Sequence, residues 1–501
     1  MSDRTKLAQT MIVAALIMGA LGDLLLRQTP WGINILLWLG ALLAMATILT
    51  KWQRVPNAQP HRWMLLPVIF FGACFAWRDS VGLKFMDAVA ILVAMALASP
   101  LPGKARIHLA SLVDYMLAGL VTSFYAAVGP LFLIFGDVRW REVSREGWRR
   151  QALAIGRGVA LATPLLLLFG VLFMSADAVF NVLVRETLHI NVKRLFVHAF
   201  VIASCAWIVA GYLRGHLIGG EFPQEVRGLL KPLSLGIVEI GIVLAFLDVL
   251  FLAFVIVQVR YLFGGAPLVG ITPGLTYAGY ARRGFFELVA VAALVLPLLL
   301  AAHWLLQKDQ PRHEHIFRAL AGVQILLLFV IMASAIERMR LYTDQFGLTE
   351  QRLYATACMG WLAAVFVWFA VTVLCGRRER FAFGAMLAGF LLISVLHAIN
   401  PDAVIVRTNI ERARYGHSFD VRYARALSSD AVPVLIAHLP ELNPQDRSAV
   451  AALILKRWPP AAYQDWRSWS WSRAQAWEAV RDHAVMLEGM THAGLPGSPS
   501  P

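Results

Sequence analysis

The feature that most constrains this chain is its recurrence of apolar runs about as long as a bilayer is thick. A helix needs ~20 mostly apolar residues to cross ~30 Å of hydrocarbon. About twelve stretches meet that condition: 8–26, 31–50, 63–78, 83–99, 112–135, 152–174, 194–213, 233–258, 285–306, 316–336, 354–375 and 382–399. The run 63–78 is short and 233–258 is long. Composition agrees: 59% of the 501 residues are hydrophobic, only 15% are charged, and the mean hydropathy is +0.64. Soluble proteins carry about 25% charged residues, so this chain could not wet a surface of its own size. A soluble enzyme, a disordered chain and a disulfide-built secreted module are thereby excluded. The expected fold is all-α, a polytopic transmembrane helical bundle over 1–399. A small helical soluble or peripheral domain follows over 400–490, with a disordered tail over 491–501.

The net charge of +14 comes from 45 Lys and Arg against 31 Asp and Glu. Residues 400–501 hold 11 basic and 10 acidic side chains, so the excess lies among the apolar runs. There it serves to anchor the chain to anionic headgroups, at about 1 kcal/mol per cation. Nucleic-acid binding would need a soluble basic face, which the near-neutral tail does not offer. The first run follows Arg4 and Lys6 without a small-residue cleavage site, and reads as a retained anchor. With twelve spans the Lys/Arg bias of the two sides is nearly equal, and orientation stays open.

The most basic short segment is 137–150, where Arg141, Arg145 and Arg149 recur at helical spacing. Glu142 and Glu146 precede arginines by three or four positions, the favourable order for helix pairs. With Trp140 and Trp148 at headgroup level, an interfacial helix on anionic lipid at the cytoplasmic face is expected; a lipid-specific site is the sharper alternative.

Acids inside apolar runs carry the most information, because a charge at bilayer depth costs about 3 kcal/mol on insertion scales. Asp23, with Arg27 four residues on, and Asp87, Asp114 and Arg157 all lie near span ends and read as interfacial or snorkelling side chains. Asp248 is different: it sits about ten residues, or ~15 Å, from either useful end of 233–258. Glu239, nine residues earlier, falls on the opposite face of the same helix, so the two cannot form a carboxylate pair. Asp248 is a candidate to bind a proton or cation, or else a protonated or paired packing residue.

Segment 264–284 is rich in Gly and Pro, which precludes a regular helix over its first part. It is either an external loop or a re-entrant element, since irregular backbone near lipid survives only where protein or water satisfies it. Tyr280, Arg282, Arg283 and Glu287 follow at the mouth of the next span, and form a candidate polar site or a plain charged helix start. A third cluster runs from Glu337 to Tyr342, with Gly347, Leu348, Thr349 and Arg352 beyond it; Thr349 is placed to cap the next helix.

Beyond residue 400 helix caps appear. Asn443-Pro444 opens a helix to about Trp458, which Pro459-Pro460 stops. Ser472 with Gln475 has capping-box spacing before a run to about Glu488, and an earlier helix starts near Asp430. Trp466, Trp469, Trp471 and Trp477 are expected to build the core of this region or rest it on the membrane. Gly384/Ala388 and Ala385/Gly389 let a neighbour approach the last span. The four cysteines form no C-x-x-C, so neither a zinc site nor a disulfide framework is indicated and they read as buried thiols. His313-Glu314-His315 reads as solvated, and no nucleophile elbow or phosphate-binding loop is present. No metal, cofactor or catalytic set follows from these patterns.

Three motifs together carry a resemblance. Tyr280-Ala-Arg-Arg-Gly-Phe-Phe-Glu-Leu288 is one; Arg340-Leu-Tyr with Gly347-Leu-Thr and Arg352 is the second. The third joins Asn400-Pro-Asp-Ala, Asn409-Ile and Leu427-Ser-Ser-Asp-Ala-Val-Pro433. In order and spacing they resemble bacterial membrane proteins of the domain of unknown function 4173, with relatives under 4153, over roughly residues 170–435. The resemblance implies a bacterial cytoplasmic membrane and makes the Arg282–Glu287 mouth a family trait, but it supplies no activity. Three functions stay open: a non-enzymatic transporter or sensor of a small solute or ion, an intramembrane enzyme on a lipid or lipid-linked glycan, and a scaffold binding a protein partner through its helical tail.

Overall fold

The computed structural model describes residues 3–52, 62–99, 107–140, 192–219, 235–271, 285–307, 310–459 and 465–492, with short stretches between 158 and 177. Among the described residues, ten helices are long and apolar enough to cross a membrane. The first group is α1 (Asp3–Leu26), α2 (Ile33–Trp52), α3 (Leu65–Trp77), α4 (Val81–Ala98), α5 (Leu112–Phe132) and α6 (Val192–Leu217). The second is α7 (Ile237–Ile271), α8 (Phe285–Leu305), α9 (Pro311–Phe346), α10 (Glu350–Thr372) and α11 (Phe381–Ile399). Of these, α3 is too short to count among the ten. The expected span 152–174, for the most part, and Arg141, Arg145 and Arg149 lie outside the described residues.

Two apolar cores organise the membrane region. Met11, Ala15 and Met18 of α1 pack with Leu42 and Leu49 of α2 and Val209 and Leu213 of α6. Helices α5 and α6 touch backbone to backbone, since a Cβ on Gly211 would lie 2.3 Å from the Tyr125 carbonyl oxygen. The other core joins α7 to α11 around Phe285, Phe317, Phe366 and Phe369. Helix α11 bridges the halves by packing on α4, with Phe390 and Ile393 against the α2–α4 cluster. The small residue Gly384 does admit a neighbour: a Cβ there would lie 2.1 Å from Nε1 of Trp368 on α10.

Two expectations need correction here. Helix α7 runs on through Gly264, Gly265 and Pro267 to Ile271, where irregular backbone was expected. Continuing the helix keeps the backbone groups bonded, and a glycine in a helix costs only about 1 kcal/mol relative to alanine, so the regular form persists. Asp87 is not a snorkelling side chain: it is 0% exposed, because α11 closes over it.

Beyond the spans come α12 (Pro401–Arg414), α13 (Val421–Ala426), α14 (Val432–His438), α15 (Pro444–Arg457), α16 (Trp471–Asp482) and α17 (Ala484–His492). They enclose a core of Ile405, Ile410, Leu435, Leu439, Val450, Ile454, Val480 and Leu487. Asn443 caps α15 by accepting from the Asp446 amide, and Pro444 takes the first turn, as its lacking N–H allows. The cap of α16 is Ser470, which accepts from the Arg473 amide, not Ser472. Ser472 is instead buried on the first turn, where it meets Ser429. The run expected to continue to Glu488 breaks at His483 between α16 and α17.

Candidate functional site

Among the described residues, charge is buried at several places, including Asp137 between Arg4 and Arg214, and two of these places frame the candidate site. The first is the junction where the C-terminal helices sit on the ends of the membrane helices. The three-residue link Arg78-Asp79-Ser80 joins α3 to α4 and cannot turn its side chains into lipid without partners. It finds them in the C-terminal helices. Arg78 Nη1 donates to Asp430 Oδ1 at 3.1 Å and its Nε to the His397 carbonyl oxygen at 3.0 Å. Asp79 accepts from Arg473 Nη1 and Lys84 Nζ, both at 2.5 Å, and from Ser429 Oγ at 3.0 Å. The Asp79 amide donates to Asp430 Oδ2 at 2.7 Å. Ser80 Oγ lies 2.9 Å from the Tyr354 hydroxyl and donates to Glu350 Oε1 at 3.3 Å.

The family-like motifs supply the other side of this junction. Asn400 adopts the left-handed conformation that asparagine tolerates and caps α12. That places Asp402 to accept from the Ser428 amide at 2.9 Å and from its hydroxyl at 2.5 Å. Burial pushes the Asp402 carboxyl up to about 7; the Ser428 hydrogen bonds act against this, while the charges of Glu350 and Asp430 add to it. Gly347, at φ +80°, turns the chain from α9 to α10 where a Cβ would lie 2.6 Å from Asn409 Oδ1. Asn409 clamps this turn, accepting from the Leu348 amide at 2.7 Å and donating to the Leu348 carbonyl oxygen at 2.8 Å. The Arg352 guanidinium lies 4.0 Å from the Tyr342 ring centroid and donates to the Gly347 carbonyl oxygen. Thr349 occupies the capping position of α10 but makes no side-chain cap bond.

The second place is the interface of α7 and α9. Leu244, Asp248, Phe251, Val255 and Gln258 form a buried stripe at alternating four- and three-residue spacing, the face α7 turns to the core. Asp248 is 8% exposed, and neither carboxylate oxygen has a hydrogen-bond partner. Helices α7 and α9 run parallel: a Cβ on Gly241 would meet Leu320, and Ser334 Oγ donates to Gln258 Oε1 at 3.0 Å. Asp248 precedes Gln258 by ten residues and Gln324 precedes Ser334 by ten, which places both ~15 Å along their helices at one depth. Gln324 is fully buried and its amide oxygen and nitrogen also lack partners. Toward the junction end, Arg338 Nη2 donates to Gln258 Oε1 at 2.6 Å.

The remaining expected site residues fall elsewhere. Glu239 is exposed on the opposite side of α7, as the nine-residue separation required. Glu287 is exposed on α8, which packs on α9 rather than α7, so it is not brought to Asp248. Tyr280, Arg282 and Arg283 lie outside the described residues. Sequence reading passed over Arg78, Asp79, Lys84, His397 and Arg473, and took Asp87 for an interfacial side chain. For the first two a signal existed: a charged link only three residues long between apolar runs. Of the four cysteines only Cys74 is fully buried; Cys205 and Cys358 are half-buried and Cys375 is exposed.

Ten long apolar helices among the described residues define an integral membrane protein of the multi-pass α-helical class. Within that class, the chain belongs to the family described as Domain of unknown function (DUF4153), whose model matches residues 65–438. The match begins well upstream of the motifs that first suggested it and takes in Arg78, Asp79 and Asp87, while Arg473 lies beyond it. No curated protein and no solved structure matches the chain.

Proposed function

We propose that this protein moves or senses a small ion or solute, with Asp248 as the acid that takes up a proton or cation. The observation carrying this reading is the absence of any hydrogen-bond partner for either Asp248 oxygen, at the same depth along α7 as the equally unpartnered Gln324 along α9. A buried carboxylate without a partner is strongly disfavoured, so the group holds a proton or a cation in exchange for water. A carboxyl oxygen and an amide oxygen are suitable ligands for either. The Ser334–Gln258–Arg338 cluster continues the polar line toward the junction end. The lipid-enzyme reading has less support, because Glu287 is exposed and set on another helix. A regulatory role for the C-terminal helices is favoured by their charged contact with Asp79. We place the protein in a bacterial cytoplasmic membrane, with Arg141, Arg145 and Arg149 against anionic headgroups.

The test is reconstitution of the full chain in vesicles loaded with a pH-sensitive dye, under imposed proton, sodium and potassium gradients. Dye response that is present in the wild type and lost in Asp248→Asn supports the reading. Equal flux from both proteins, or none from either across a broad solute panel, counts against it.

A further inference from the structure

One turn below the junction, three helices bring together a thiol, a carboxylate and an imidazole. Cys74 comes from the last turn of α3, Asp87 from the second turn of α4 and His397 from the last turn of α11. All three residues are buried, Asp87 and His397 completely, and one ligand-type atom from each lies within 4.8 Å of the others. His397 Nε2 sits 2.9 Å from Asp87 Oδ1. That single contact does not satisfy the group: Asp87 Oδ2 and His397 Nδ1 are buried with no hydrogen-bond partner. Asp87 Oδ2, left without a partner in the apolar cluster around Phe71, Phe75 and Ile91 at a cost of about 1–3 kcal/mol, has its lone pairs open to a cation.

We infer that Cys74, Asp87 and His397 form a binding site for a divalent transition-metal ion of the zinc type. The chemistry of the set selects the ion class. Sulfur, imidazole nitrogen and carboxylate oxygen together suit zinc and its neighbours, whereas magnesium and calcium demand shells of oxygen. A thiolate and a carboxylate neutralise a 2+ charge, so the complex is buried as a neutral unit. In a tetrahedral site, bonds of about 2.0–2.3 Å set ligand atoms about 3.3–3.8 Å apart. Reaching that geometry requires Nε2 and Oδ1 to part by a few tenths of an ångström and the sulfur to close in by up to about an ångström. On binding, the thiol proton leaves to solvent and the ring proton of neutral His397 resides on Nδ1, so that the Nε2 lone pair faces the metal. Three protein ligands leave a fourth position for water. The site also adjoins the junction, because Arg78 holds the carbonyl oxygen of His397 itself. Metal binding therefore ties α3, α4 and α11 together directly beneath the C-terminal helices, and nothing in this depends on Asp248.

The full chain, purified in detergent and stripped with a chelator, is titrated with Co²⁺ and followed by absorption. The expected result is a saturating sulfur-to-cobalt charge-transfer band at about one equivalent, reversed by Zn²⁺ and indifferent to Mg²⁺ and Ca²⁺. The band should persist in Cys205→Ser/Cys358→Ser/Cys375→Ser, where Cys74 is the sole thiol, and vanish in Cys74→Ser. His397→Gln should weaken cobalt binding at least about tenfold. Absence of the band in the wild type, its loss from the chain that keeps only Cys74, or its survival in Cys74→Ser would each overturn the site.

Discussion

The junction and the α7–α9 interface bury charge in opposite ways. At the junction Arg78, Lys84 and Arg473 face Asp79 and Asp430, and each of these carboxylates accepts more than one hydrogen bond. At the α7–α9 interface a single acid and a single amide are buried with none. The first arrangement holds parts together, because removing any member strands its partners. The second stabilises nothing as it stands, and on this contrast rests the proposal that Asp248 binds a proton or cation. The two places differ in what surrounds their acids, not in residue type.

The largest expected effect comes from stranding a junction charge. Asp79→Ala leaves Lys84 and Arg473 without their carboxylate and should destabilise docking of the C-terminal helices by about 3–5 kcal/mol. Limited proteolysis in detergent should then release fragments beginning beyond residue 400; an unchanged digestion pattern would show that the junction is dispensable.

Asp402 sharpens the comparison through pH. Its carboxyl is raised from 3.8 to about 7 in the folded chain, so the native state holds the proton more tightly than the unfolded one. The stabilisation is complete below about pH 4 and declines as pH rises to about 7, where the buried group ionises beside Glu350 and Asp430. Docking should loosen across that window, and Asp402→Asn should flatten the dependence. Thermal melts at several pH values read this directly, and identical slopes for both proteins would contradict it.

A smaller effect is expected at the α9–α10 turn. Arg352→Lys keeps the charge but gives up the planar stacking on Tyr342 and should cost about 1 kcal/mol, seen as a modest drop in melting temperature. The smallest stability effect belongs to Asp248→Asn. Neither oxygen has a partner to lose, so stability should change by less than about 1 kcal/mol while ion-coupled flux disappears. A strongly destabilised Asp248→Asn would move this residue into the same structural category as Asp79.

Much of the membrane architecture was legible because hydropathy is a local property. A run such as 112–135 has to bury or face lipid wherever it lies, and it forms α5. Caps are equally local, which is why Asn443-Pro444 placed the start of α15 correctly. The rule erred where two local readings competed: Ser470 and Ser472 flank the first residue of α16, and packing sent Ser472 to Ser429 and left Ser470 to cap. It also erred at Gly264–Ile271, where α7 continues as helix through the Gly and Pro residues.

The candidate site was legible in one residue. Asp248 could be singled out because its depth follows from counting along one helix. Gln324 could not, since an uncharged amide in an apolar run gives little warning until a parallel helix sets it level with an acid. Sequence alone determined that this chain lives in a bilayer, that Asp248 is deep within it and that Glu239 faces away, because each follows from periodicity along a single helix. Only tertiary structure decided that Asp79 meets Arg473 across 394 positions and Asp87 meets His397 across 310. Pairing energy between charges depends on separation in space, and nothing in the order of residues carries that distance until the helices have packed.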